Sequence, residues 1–147
     1  MMETQLQRFL IAQEKDYLKV LEEMKAGRKQ SHWMWYVFPQ WIGLGHSEMA
    51  TFYAIKNLEE AKAYLAHPIL GSRLREISQE LLKLNENDPF RIFGKPDNLK
   101  LQSCMTLFFT VDETKPSVFQ QVIEKYFNRQ WDERTLRRIH ADPLPHS

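Results

Sequence analysis

Residues 28–46 read RKQSHWMWYVFPQWIGLGH, and the fold class turns on how that run is taken. Aromatic residues stand on every side of it, so neither the 3.6-residue period of a helix nor the two-residue period of a strand reads cleanly. A fully buried strand would need a partner strand, and no other stretch of the chain supplies one. The run is therefore expected to form a short buried helix, capped by Ser31 and ended by Pro39, with a turn at Gly43 and Gly45.

Upstream of this block, residues 4–26 carry Leu6, Phe9, Leu10, Tyr17, Val20, Leu21 and Met24 at spacings of three and four with charges between them, the pattern of a helix with one apolar face. Lys25 in the last turn and Gly27 beyond it mark the end. Downstream, the punctuation is helical throughout. Ser47 opens a short helix through Ile55, and Asn57 with Glu60 makes a capping box for a helix over 58–66. Pro68 keeps His67 out of the α region, which makes His67 a boundary or capping residue, and introduces a stripe of Leu70, Leu74, Ile77, Leu81 and Leu84. Asp88-Pro89 starts a single turn that Gly94 stops. Asp97 caps a helix to about Phe109, Pro116 or Ser117 opens another through Phe127, and Trp131-Asp132 begins the last, with Trp131 and Leu136 at hydrophobic-staple positions. The sum is an all-α chain: one compact domain over 1–140, seven or eight helices, and a flexible tail over 141–147.

Bulk composition narrows the function classes. The chain has 147 residues, the commonest size for one domain. With 43% hydrophobic and 12% aromatic residues it is not a disordered segment. Twenty Lys and Arg against nineteen Asp and Glu leave a net charge of +1, so the basic excess that drives non-specific nucleic-acid binding is missing. A single cysteine, Cys104, excludes an internal disulfide and points to a reducing, cytoplasmic location. Charges at Glu3, Arg8 and Glu14 come too early for a signal peptide, and no apolar run approaches the ~20 residues of a membrane span.

Two groups of residues could carry chemistry. In the aromatic block, Arg28, Lys29, Ser31, His32 and Gln40 set cations, a hydroxyl, an imidazole and an amide beside Trp33, Trp35 and Tyr36. That mixture suits a pocket in which a planar ligand stacks while donors hold an anionic group. His32 is the candidate acid–base residue, since an imidazole titrates near neutral pH. The plain alternative is that the rings are core and the cations a solvated helix exit. The second group lies in DNLKLQSCMTLFF, residues 97–109, where Lys100, Ser103 and Thr106 form one ridge and Leu101, Cys104, Met105 and Phe108 the core stripe. The ridge faces either a ligand or water. Cys104 belongs to the core. No metal-binding spacing, phosphate-binding glycine motif or nucleophile elbow is present, and nothing calls for a cofactor.

SHWMWYVFPQ, then GLG, YAI, EAKAYLAHPILGSRLRE, IFGKPDNLKLQSCMTLF and WDERTL together resemble the domain-of-unknown-function 1810 family over nearly the whole chain. The resemblance implies a mainly α-helical, compact, bacterial-type domain with no activity attached. The name calpastatin, borne by some members, belongs to long disordered inhibitors, unlike this aromatic-rich sequence. Trp41 stands where members carry a smaller apolar residue, which would narrow a groove beside Gln40. The functional expectation is a small-molecule-binding or enzymatic domain whose aromatic and basic pocket takes a nucleotide-like or other anionic, planar ligand. The alternative is a module that offers the same surface to a protein or to single-stranded RNA.

Overall fold

Nine helices account for most of the chain in the computed structural model, which describes residues 2–141, with side chains from Thr4 onward. They are α1 (Met2–Ala26), α2 (Met34–Val37), α3 (Glu48–Phe52), α4 (Leu58–Ala66), α5 (Leu70–Lys83), α6 (Pro89–Phe93), α7 (Asp97–Val111), α8 (Val118–Tyr126) and α9 (Glu133–Ala141). No strand occurs among the described residues. The count is close to the expected seven or eight, the addition being α6, a five-residue helix at the single turn expected after Asp88. The tail expected at 141–147 lies, from residue 142 on, outside the described residues.

Local chemistry explains most boundaries. Helix α1 ends where Gly27 takes φ +80°, with its N–H bonded to the Met24 carbonyl and the Arg28 N–H to the Glu23 carbonyl. This paired closure is the Schellman form of helix end. Asn57 caps α4 through the Glu60 N–H at 2.8 Å. The return half of the box is displaced by one residue: Glu60 accepts from the Lys56 N–H and pairs with Arg8 at 3.1 Å. His67 is extended, and its Nδ1 accepts from the N–H groups of Ile69 and Leu70, so its ring caps α5. The turn between α4 and α5 is too tight for a side chain at Gly71, whose Cβ would lie 2.0 Å from the Leu65 carbonyl oxygen.

Three expected boundaries are corrected. Ser31 does not cap α2; Trp33 holds that position without a side-chain bond, because the Ser31 hydroxyl is drawn to Glu23. Asp97 is the first residue of α7 rather than its cap, because its carboxylate pairs with Lys29 and Lys100. Helix α3 stops at Phe52, short of Ile55, because Ile55 is committed to a single parallel bridge with Trp41.

The core forms around α7, which is covered by α4, α6, α8 and α9. Its buried residues run all round the axis, Leu101, Ser103, Cys104, Met105, Thr106, Leu107 and Phe108, as a central helix requires. Two of the three residues of the polar ridge on this helix, Ser103 and Thr106, are covered by protein, while Lys100 stays partly exposed. Ser103 donates to the Asp132 carboxylate at 2.8 Å, the Asp132 N–H donates to Thr106 Oγ1 at 2.9 Å, and Gln102 donates to the Gln130 carbonyl. The segment before α9 is hooked over the ridge by these bonds. Around the core, α5 lays the predicted Leu70, Leu74, Ile77 and Leu81 stripe inward, and α8 buries Phe119, Val122, Ile123 and Tyr126.

No described helix is long and apolar enough to cross a membrane, and no group of three potential metal ligands occurs among the described residues. Cys104 is fully buried, and burial pushes its thiol well above the usual range. A thiolate, not a thiol, is the reactive species. Thiol reagents at neutral pH should label Cys104 slowly in the folded protein and at full rate after denaturation; rapid labelling of the folded protein would contradict the core placement.

Candidate functional site

The aromatic block divides into a buried half and an open half. Trp33, Met34, Tyr36, Val37, Phe38 and Trp41 are buried, and Trp35 is half-buried. His32 is exposed. What sorts them is a residue the sequence reading passed over. The carboxylate of Glu23, in the last turns of α1, lies under the loop and accepts from the Gln30 N–H at 2.8 Å, the Ser31 N–H at 3.1 Å, the Ser31 hydroxyl at 2.6 Å and the Trp33 indole N–H at 2.9 Å. Burial by itself would raise the Glu23 carboxyl; the Ser31 hydroxyl and the other donors outweigh it and hold the group below the usual carboxylate range.

Lys29 closes the other side of the loop. Its N–H donates to the Ile92 carbonyl at 2.7 Å. Its ammonium lies 2.5 Å from the Ser31 carbonyl oxygen, 3.0 Å from Asp97 Oδ2 and 5.0 Å from the centre of the Trp33 ring. The side chain is 8% exposed. An ammonium has three donors, and here they face a carbonyl, a carboxylate and a ring. Lys29 is thus part of the wall. It ties the exit of α1 to the start of α7.

Between the two tied segments opens a cleft of about 380 Å³, lined by residues 29–35 on one side and by Phe93, Lys95, Pro96 and Asp97 on the other. The structure brings Lys29, Ser31, His32, Trp33 and Trp35 of the sequence candidates together here. Of these, Lys29, Ser31 and Trp33 have their polar groups turned to Glu23, Asp97 or the backbone. His32 and Lys95 are exposed on the rim, and no hydrogen bond or ion pair from the described residues engages their side chains. Trp35 stands between, with the Lys100 ammonium 5.6 Å from its ring centre and that ammonium 3.5 Å from Asp97.

The remaining candidates lie elsewhere. Arg28 lines an adjoining cavity. Gln40 does not line the cleft; its carbonyl accepts from the Ile55 N–H beside the Trp41–Ile55 bridge. Ser103 is buried against Asp132, out of reach of the cleft. The cleft residues missed in the sequence, Phe93, Lys95 and Asp97, are some sixty positions from the aromatic block, so no short-range spacing could join them.

A rigid aromatic wall with an imidazole and an ammonium on its rim can hold a flat, negatively charged molecule by stacking and by charge-assisted hydrogen bonds. Its rigidity depends on Glu23. Glu23→Gln would turn an amide N–H toward donors, and the loss should be roughly 2–4 kcal/mol at pH 7. Because the folded carboxyl is depressed, its contribution is full above the unfolded value near 4.5 and disappears as pH falls through the lower, folded one. The stability gap between wild type and Glu23→Gln, measured by denaturant unfolding, should therefore narrow below about pH 4.5; a gap constant from pH 7 to pH 3 would contradict the placement.

Comparison with known proteins agrees with this architecture. No curated protein matches the chain. Among solved structures, it is similar to the conserved hypothetical protein Rv1873 from Mycobacterium tuberculosis, with 44% sequence identity, a TM-score of 0.89 and coverage of 92% of this chain and 96% of that one. Residues 3–139 match the family described as Protein of unknown function (DUF1810), and the chain belongs to that family.

Proposed function

We propose that the cleft binds a small anionic ligand with a planar part, of which a nucleotide is the simplest representative. The observation that carries this reading is the half-buried Trp35 ring at the cleft wall, braced by Lys100, with the unpaired rim groups of His32 and Lys95 beside it. A ring in that setting offers stacking surface at little entropic expense, and the two rim groups supply donors for a phosphate or carboxylate. The volume of about 380 Å³ falls within the range of small-molecule sites. Because the loop is pinned from below, little ordering is needed on binding.

If the bound molecule is turned over, His32 is the cleft's acid–base group. A reducing, cytoplasmic setting fits the reading, as the lone Cys104 is a buried thiol. A protein or RNA partner on the same surface is the competing reading; a recessed cleft favours the small molecule over a flat interface.

A thermal-shift screen of nucleoside monophosphates tests it. At 100 times its dissociation constant a ligand should stabilise the protein by about 2.7 kcal/mol. His32→Gln and Lys95→Ala, both at exposed positions, should change the stability of the free protein by no more than about 0.5 kcal/mol and should remove the shift. A shift that survives in both variants places the ligand elsewhere, and a blank screen with wild type removes the nucleotide reading.

A further inference from the structure

The cleft has a neighbour. A second cavity of about 630 Å³ is lined by Arg28, Phe90, Arg91 and Gly94 among others, and both cavities touch Lys29 and Phe93. The ridge between them is fixed where the Lys29 N–H meets the Ile92 carbonyl. We propose that the two cavities together form the binding site of a dinucleotide, with one base in each and the pyrophosphate over the ridge; this rests on the ligand-binding reading of the cleft.

Each lobe holds an aromatic ring with an open face. Trp35 is half-buried in the first, and Phe90 is 54% exposed in the second. An exposed phenylalanine at the mouth of a cavity is poorly used by the fold and well suited to stacking. Each lobe also holds cations whose charge is not consumed internally. Lys95 is exposed on the first side and Arg28 on the second. Arg91 is 73% exposed, and its pairs with Glu86, which also lines this lobe, and with Asp88 are long, 4.0 and 3.9 Å, so a phosphate can compete for its guanidinium.

In the second lobe, next to Phe93, the backbone carries no side chain at Gly94. Gly94 has φ +73°, a conformation that favours glycine. A Cβ there would meet nothing within 4 Å, so the chain at residue 94 opens directly onto the second cavity. A ring and free cations in each of two adjoining lobes match a molecule of two bases joined by a pyrophosphate, with Lys95, Arg28 and Arg91 as the phosphate donors, since the Gly94 N–H is given to the Phe90 carbonyl. A longer single strand is the less favoured occupant. Only two stacking platforms are present in these cavities, and the near balance of 20 Lys and Arg with 19 Asp and Glu provides no extended phosphate track.

Isothermal titration with AMP, GMP, diadenosine diphosphate, diguanosine diphosphate, NAD⁺ and a hexa-adenylate tests the proposal. A dinucleotide should bind roughly tenfold tighter than its own mononucleotide, the gain expected from stacking one further base. Phe90→Ala and, independently, Arg91→Ala should erase that gain, with melting curves confirming that both variants remain folded. Mononucleotide binding with no gain from the dinucleotides overturns the two-lobed site and leaves the single cleft standing. A gain that both variants retain also overturns it, because the second base is then held elsewhere. A hexa-adenylate that binds far more tightly than any dinucleotide overturns it in favour of single-stranded RNA. No binding by any of the six removes both the proposal and the reading beneath it.

Discussion

Glu23 must lose most of its water when the segment after α1 folds over it, and a desolvated carboxylate is stable only where donors replace that water. Four do, and three of them lie within residues 30–31 while the fourth is the indole N–H of Trp33. The conformation of the loop follows from satisfying this one anion. With Trp33 drawn down into the core, His32 is left at the surface and Trp35 half out of it. The cleft is thus the complement of a buried charge, and its wall is rigid for the same reason that the charge is tolerated.

An ion pair completes the frame across the chain. Lys29 and Asp97 are both largely withdrawn from solvent, at 8% and 18% side-chain exposure, so their attraction is screened less than that of a surface pair. It joins the end of the first helix to the start of the central one. The two lysines that line the cleft differ accordingly. The charge of Lys29 is answered inside the protein, whereas that of Lys95 is open to whatever enters.

Helix type and order were largely readable, because α1, α5 and α8 each bury one stripe and because Asn57, Pro68, Asp88 and Gly94 act through local backbone chemistry that needs no tertiary information. The all-helical class followed from the absence of a partner for residues 32–38, and α2 occupies that stretch as a short buried helix. The ends of α3 and α7 were misread where a distant partner took the capping group or the chain: Trp41 for Ile55, Lys29 for Asp97. The cleft was half legible. The residues from Lys29 to Trp35 announce themselves by composition, but Phe93, Lys95 and Asp97 reach them only through the packing of α6 and α7. Glu23 looked like one more surface charge among Glu22, Lys25 and Arg28. Its position three residues after Val20, on the margin of the apolar stripe, was the available signal. Ser103 and Thr106 looked like a free polar face because the segment that covers them is nearly thirty residues further on.

That covering segment gives the last helix an attachment unlike the others. Helix α9 buries only Thr135 and Ile139, and the segment before it is held by Trp131, stacked on Phe109, and by Asp132, which accepts from Ser103 and from Thr135 while its N–H donates to Thr106. An element with few buried apolar contacts lies at the low-stability end of a native structure. By that rule α9 needs less free energy to lift away than α5 or α8, each of which buries a whole apolar stripe. Such lifting would bring the Ser103 and Thr106 hydroxyls of the central helix to water.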